Sequence, residues 1–234
     1  MHAEPRRLLA LDTATENCSA ALWLEGELTL RSRFSARDHA GLLLGMVDEL
    51  LREAGITLGA LDCLAFGRGP GGFTGVRIAT SVVQGLALGT GLPVVPVSDL
   101  EALAWRAWER HGWGQVLVAM DARMGELYTL ACRLDAGGRL EALGPERLQA
   151  PGDLVLPPGR WAGAGPGWAA HAGLLAASVS GLEGLDAGVF PDAGAVATLA
   201  LAHLRAGGQA LDAAGAEPVY LRDRVAALPK ASRP

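Results

Sequence analysis

Cysteine is scarce in this chain. There are three, Cys18, Cys63 and Cys132, widely spaced and without a CxxC pair. That excludes a disulfide framework and suits a reducing compartment. Histidine is equally thin. None of His2, His39, His111, His171 and His203 has another three or four residues away, so no helix presents two imidazoles on one face to a metal. No GxSxG elbow marks a nucleophile, and no Gly-Lys-Ser/Thr ending follows a glycine-rich turn. Apolar runs stop well short of the ~20 residues that cross a bilayer. The opening MHAEPRRLLALD has basic residues but no long apolar run, so no signal peptide is expected. Basic charge is lacking too. The formal net charge is −5, which argues against a protein that grips nucleic acid by itself. Any hold on RNA is expected to come from a partner, and the chain is expected to be cytoplasmic.

What remains is apolar and glycine-rich. Half of the 234 residues are hydrophobic and 32 are glycine, enough chain for one large domain or two small ones with a proper core. RLLALD, at Arg7–Asp12, reads as a buried strand ending in an acid. Two more strands follow at 18–25 and 27–34, joined by Glu25-Gly26. Residues 40–54 read as a helix whose apolar residues cover an arc of ~200°. That is about twice what one buried face needs. A fourth strand at 61–67 runs through the glycine-rich turn 67–75 into a helix over 73–88, and a fifth strand lies at 93–97. Ser98, with Glu101 three residues later, reads as the cap of another helix. The order then starts again: VAMD at 118–121 echoes LALD at 9–12, followed by a strand over 126–134 and a Gly137-Gly138 turn. Two βββαβα-type lobes are predicted, 1–99 and 100–234. The second is reduced, since 141–190 is rich in Gly, Ala and Pro and poor in element signals. A last helix is expected over 193–204.

The run FGRGPGGFTGVRIATSVVQGLALGTGLPVVPVS, from Phe66 to Ser98, resembles the hallmark segment of the TsaB (YeaZ) family. LALDTATENCSAAL, MDARMGELY and the late PVYLRDRVA resemble that family as well, in family order. The resemblance implies an α/β, two-lobed fold of the actin/sugar-kinase/Hsp70 (ASKHA) type. It also implies a role in making threonylcarbamoyladenosine beside the anticodon of ANN-decoding tRNAs. There a related subunit, TsaD, holds the metal and transfers the group, and an ATPase, TsaE, joins the pair. TsaB-type chains are degenerate relatives of TsaD. Catalytic relatives carry HxxxH on the early helix, whereas here His39 is followed four places on by Leu43.

Each candidate has a functional and a structural reading. Gly69, Gly71 and Gly72 precede a helix, where successive N–H groups can cradle an anion. They equally suit a tight turn with close packing, and spacing favours that reading. The family usually has Ser where Gly72 stands. Asp12 and Asp121 end matching strands and are candidate vestigial nucleotide contacts, or turn caps. Gly163 and Gly165 have two readings, a glycine pair against an adenine and a plain loop, and the Gly/Pro-rich setting favours the loop. Ser81, Gly85 and Gly89 recur every four residues, a small stripe that lets another helix come close. With Leu43, Val47 and Leu50 on the preceding helix they are the candidate partner interface, with packing inside the domain as the alternative. By resemblance these two helices build the family's dimer contact, to TsaD or to a second copy. Arg222, Arg224, Lys230 and Arg233 are candidate RNA contacts or a solvated tail. Trp105, Trp108 and Trp113 are expected in the core or between lobes. The function expected is a non-catalytic partner of TsaD and TsaE, without a metal or intrinsic cofactor. ATP and Mg would enter at the level of the complex, and tRNA would be reached through it. The alternative is a self-contained ATPase or small-molecule kinase. An older family label, glycoprotease, would need a metal or nucleophile for which no motif is present.

Overall fold

The computed structural model describes residues 5–35 and 38–222. The chain runs β1 (Arg7–Asp12), β2 (Asn17–Leu24), β3 (Glu27–Phe34), α1 (His39–Glu53), β4 (Cys63–Gly67), α2 (Phe73–Thr90), β5 (Val94–Val97) and α3 (Asp99–His111). It repeats with β6 (Gln115–Asp121), β7 (Leu127–Leu134), β8 (Leu140–Ala142), β9 (Arg147–Gln149), β10 (Ala162–Ala164), α4 (Gly167–Ala170), α5 (Ala172–Ser178), β11 (Gly184–Asp186) and α6 (Ala193–Arg205). The first sheet has the order β3-β2-β1-β4-β5 and the second β11-β10-β6-β7-β8, with β9 also on β7. In each, an antiparallel meander leads into parallel strands, β4 and β5 beside β1 and β10 and β11 beside β6. The second order is the first with its elements shortened. This is the predicted ASKHA-type two-lobed α/β fold with a reduced second lobe, and the echo of LALD in VAMD marks equivalent strands.

Side chains alternate across a strand, and β1 uses both faces. Leu9 and Leu11 point to the layer holding α1 and α2, while Leu8 and Ala10 point to a layer built on α6. A strand covered on both faces reads as a continuous apolar run, which RLLALD does. Edge strand β3 is largely exposed and carries Glu27, Arg31 and Arg33, charges that blunt its open edge.

Two helices, α3 and α6, do not stay with the lobe that precedes them. α3 follows the first sheet but packs on β6 and β7, with Leu100, Leu103 and Ala107 among its buried residues. α6 follows the second sheet but lies on β1, β2 and β4. Ala193, Ala195, Ala197 and Ala200 let it approach the first sheet closely. Asp192 caps α6, accepting from Ala195 N at 2.9 Å, and lies 2.9 Å from Arg106 Nε of α3. Trp105 packs against both the first-lobe and second-lobe cores, while Trp108 and Trp113 join the second. All three stand where core or inter-lobe packing would put them.

Helix α1 requires a correction. Leu43, Val47 and Leu50 form, with Met46, the i, i+3, i+4, i+7 stripe that faces the sheet, and all are buried in the first core. They are not surface residues. The excess apolar residue on the outer side is Leu44, 50 % exposed. Gly163 is in strand β10, not a loop, and a Cβ there would lie 2.8 Å from both Trp168 and Leu185.

The two ends of α2 make opposite demands on glycine. A Cβ at Gly75 would sit 1.9 Å from Thr13 O, whereas one at Gly85 would meet nothing within 4 Å. Gly75→Ala is therefore expected to lose about 3 kcal/mol or fail to fold. Gly85→Ala is expected to gain roughly 0.5–1 kcal/mol from helix propensity. Urea denaturation of the two variants checks this, and equal midpoints would contradict the packing described.

Candidate functional site

A cleft of about 690 Å³ separates the lobes. Its first-lobe wall is the loop after β1 packed on the glycine-rich turn. Ala14 N donates to Asp12 Oδ1 at 2.7 Å, and Gly72 N donates to Ala14 O at 2.7 Å. Thr13 Oγ1 donates to Gly75 O at 2.7 Å and accepts from Ala79 N at 3.1 Å. A Cβ at Gly71 would be 2.7 Å from Ala14 O. Close backbone approach thus explains the glycines on packing grounds. Gly69, with φ 94°, turns its N–H to the Asp99 carboxyl group.

That packing shuts Asp12 away from the cleft. Asp12 and Asp99 are both fully buried, and their side chains interact directly. Asp12 Oδ2 and Asp99 Oδ1 accept no hydrogen bond among the described residues, and a proton on either carboxyl would satisfy both. Burial raises the Asp12 carboxyl to about 6, partly offset by the bond from Ala14 N. Asp99 is pushed well above the usual carboxylate range by burial and then by the charge of Asp12. Two acids in one dry site cannot both ionise cheaply, so the pair holds a proton well above the usual carboxylate range.

The second-lobe wall is charged and open. Asp121 lines the cleft with its carboxylate 3.3 Å from His171 Nε2 and 3.4 Å from Arg123 Nη1, and it accepts from Arg123 N at 3.0 Å. Tyr128, Met120 and Arg222 stand nearby, facing Phe73, Thr74, His39 and Glu16 of the first lobe. His39 Nε2 is 2.7 Å from Ser35 O. Among the described residues no group of three His, Cys, Asp or Glu is placed to hold a metal ion.

The two strand-end acids therefore do not meet: Asp12 lies under the floor, Asp121 in the opposite wall. Gly71 and Gly72 line the cleft, and Gly69 is buried behind it. Ser81, Gly85 and Gly89 lie exposed on the outer side of α2, beside Leu88, which is 82 % exposed. On α1, Gly41, Leu44 and Gly45 are exposed. Both helices pack on one face of the first sheet, so these stripes look away from it on the same side. Arg222 is not free for RNA: its guanidinium pairs with Glu126 at 2.6 Å and donates to Ala122 O at 3.2 Å. Arg224, Lys230 and Arg233 lie outside the described residues. Sequence reasoning missed Asp99, which looks like an ordinary acid in a helix first turn, and Leu44, the apolar residue left over once the inward stripe is assigned.

A family model described as TsaD, tRNA N6-adenosine threonylcarbamoyltransferase, matches residues 32–183. A protein of Escherichia coli (strain K12) named tRNA threonylcarbamoyladenosine biosynthesis protein TsaB is 40% identical over 225 residues, covering 94% of this chain and 96% of that protein. One of the same name from Haemophilus influenzae is 51% identical over 121 residues, 52% of this chain and 51% of its own length. Among solved structures, YeaZ from Pseudomonas aeruginosa superposes with a TM-score of 0.85 at 43% identity, covering 92% of this chain and 99% of that one.

The acid pair predicts a pH dependence. Folding raises the Asp12 carboxyl from 3.8 to about 6, so the folded state binds more protons than the unfolded one. The stability this contributes is full below the unfolded value and is lost as pH rises through the folded one. Wild-type denaturation midpoints should fall as pH rises from about 4 to about 6. Asp99→Asn can still accept from Gly69 N and can donate to Asp12, so it should flatten the slope and be more stable at pH 8 by on the order of 2 kcal/mol. Parallel slopes for the two proteins would exclude the shared proton.

Proposed function

The chain belongs to the TsaB (YeaZ) family, and on that premise we propose that it serves tRNA threonylcarbamoyladenosine biosynthesis as a partner subunit without catalytic groups of its own. It binds TsaD through the outer face of α1 and α2, and TsaE joins the pair. The observation that carries the reading is that face. Leu44 and Leu88 stand out on it among Gly41, Gly45, Ser81, Gly85 and Gly89. Small residues let a partner helix approach towards the short end of the usual spacing, and exposed leucines supply the apolar area that such a contact buries. The same face would serve a homodimer when TsaD is absent. A chain of net charge −5 leaves the grip on tRNA to the complex. No helix among the described residues is long and apolar enough to cross a membrane, and the site of action is the cytoplasm.

A self-contained ATPase or small-molecule kinase is the second reading. The cleft, at about 690 Å³, falls in the size range of ligand sites. The first-lobe residues do not fit a magnesium-bound triphosphate. The strand-end acid is buried and shares a proton with Asp99, and the glycine turn is packed on Ala14 rather than opened as a cradle. ATP and magnesium therefore belong to the assembled complex.

Light scattering on a size-exclusion column separates the readings. The chain mixed with its cognate TsaD should elute as a one-to-one complex that displaces any self-dimer. Leu44→Glu and Leu88→Glu should each weaken that complex by about tenfold or more, while shifting stability by no more than ~0.5 kcal/mol, as surface changes do. A wild-type chain that never joins TsaD would sink the proposal. Calorimetry of the isolated chain should show no ATP–magnesium binding tighter than about 1 mM, and tight binding would favour the second reading.

A further inference from the structure

After α6 the chain returns along the first lobe and then crosses to the second. Leu211 and Val94 exchange backbone hydrogen bonds at 2.8 Å, Gln84 Nε2 donates to Ala216 O at 2.7 Å, and Val219 N donates to Arg68 O at 2.7 Å. The Tyr220 hydroxyl accepts from Arg77 Nε at 2.7 Å. The Arg77 guanidinium lies 3.5 Å from the centroid of the Phe73 ring and 5.2 Å from that of Tyr220. Two residues on, Arg222 has left the first lobe. Its guanidinium is 2.6 Å from Glu126 Oε2, donates to Ala122 O at 3.2 Å and reaches Arg123 O at 3.5 Å, with 18 % of the side chain exposed.

The turn that receives Arg222 joins β6 to β7 and is strained. Arg123, Met124 and Gly125 follow one another at φ 64°, 55° and 80°. Residues with a Cβ rarely adopt that region, and a run of them persists only where the surroundings over-determine it. Inside the turn, Ala122 N donates to Glu126 O at 2.9 Å and Glu126 N to Arg123 O at 3.1 Å. From outside it, the planar Arg222 fork donates to the Glu126 carboxylate and to two carbonyls of the turn, a set of acceptors that an ammonium group cannot match in direction. The turn carries Arg123 beside Asp121, so its conformation decides where that charged pair stands in the cleft.

We infer that residues 218–222 are a strap between the lobes, anchored on the glycine turn and α2 at one end and holding the β6–β7 turn at the other, with Arg222 as its positioning residue. Val219, Tyr220 and Arg222 also line the cleft, so the strap is one of its walls. It couples the two sides of the cleft without chemistry of its own.

Amide hydrogen exchange on the full chain tests this, and the result stands whether or not the partner-subunit reading holds. Arg222→Ala should speed exchange at Ala122 and Glu126 by about tenfold or more while β1 and β4 keep their protection. Arg222→Lys, which retains the charge and loses the fork, should fall between the alanine variant and wild type. Tyr220→Ala removes a side chain packed on Phe73 and Arg77 in the other lobe, and it should nonetheless speed exchange in the turn. A purely local role for Arg222 would not produce that effect. Exchange in the turn within about twofold of wild type for Arg222→Ala, or a Tyr220→Ala effect confined to residues 73–77, would overturn the strap. Should Arg222→Ala fail to fold, the lysine and Tyr220 variants decide.

Discussion

Leu8, Ala10, Ala21, Cys63 and Val95 give the first sheet a second apolar face, and the helix that buries it is α6, from the far end of the chain. Apolar burial dominates the free energy of folding, so this one contact ties the first lobe to the second. The first sheet cannot close its core until the second half has been made and α6 has docked. The reverse holds for α3, which leaves the first sheet and buries its apolar side on β6 and β7. Asp192 at the head of α6 and Arg106 on α3 meet where the two helices pass. Asn17 Nδ2 donates to Pro191 O at 3.0 Å and Ser19 Oγ accepts from Ala193 N at 2.9 Å, which sets the height of α6 against β2. The cleft is the space left between two sheets that are held by each other's helices.

The same economy explains the buried acids. In an open cleft a strand-end carboxylate would be hydrated and ready to meet a cation. Here the loop after β1 folds over Asp12, and Asp99 arrives beneath it at the head of α3. Burial alone would make an ionised carboxylate expensive, and two together more so. A proton between them turns a repulsion into a hydrogen bond. The arrangement closes the junction of β1, the glycine turn and α3 at a cost in stability that grows as pH rises, and it leaves the first-lobe acid out of the cleft. Glycine at 71 and 75 follows from this, because the loop that covers Asp12 lies too close for a side chain.

Much of the fold was legible because its long elements carry period. The strand Arg7–Asp12, the meander, the three early helices and the last helix fall within two residues of where alternation and capping put them. The second lobe was legible through VAMD and the strand that follows it. Its strands β8, β9, β10 and β11 have three residues each, too few for any alternation to register. Their pairing is set by β6 and β7, which are distant in sequence. The site was less legible. On α1 the wide apolar arc was noticed, yet the stripe chosen for a partner, Leu43, Val47 and Leu50, is the one with the best helical spacing and so the one that faces the core. Asp99 was invisible for another reason. An acid after a serine cap suits the helix dipole wherever it occurs. Only the parallel pairing of β5 beside β4 and β4 beside β1 brings this one to Asp12. Arg222 belonged to a basic tail by composition, and only the crossing of the chain gave it Glu126 as a partner.

Two lobes around a cleft could open like a clamshell, and the contacts here work against opening. Besides the exchanged helices, Arg68 at the end of β4 pairs with Glu146 of the second lobe at 3.1 Å, and Ser98 at the head of α3 bonds to the same carboxylate. The side chains of both members of that ion pair are largely withdrawn from solvent, so the pair is less screened than a surface one. Hinge motion would have to break this pair and shear α3 and α6 from the sheets they cover. A chain that buries Asp12 and ties its lobes together at these contacts is held in one arrangement of the two lobes. What such rigidity does provide is a fixed platform. α1 and α2 sit on a sheet braced from behind by α6, and a helix pair held that firmly presents Leu44 and Leu88 in one geometry. Ordering costs at an interface fall when the surface is already in its bound shape, so any contact made on the face of α1 and α2 would meet a surface that is already ordered.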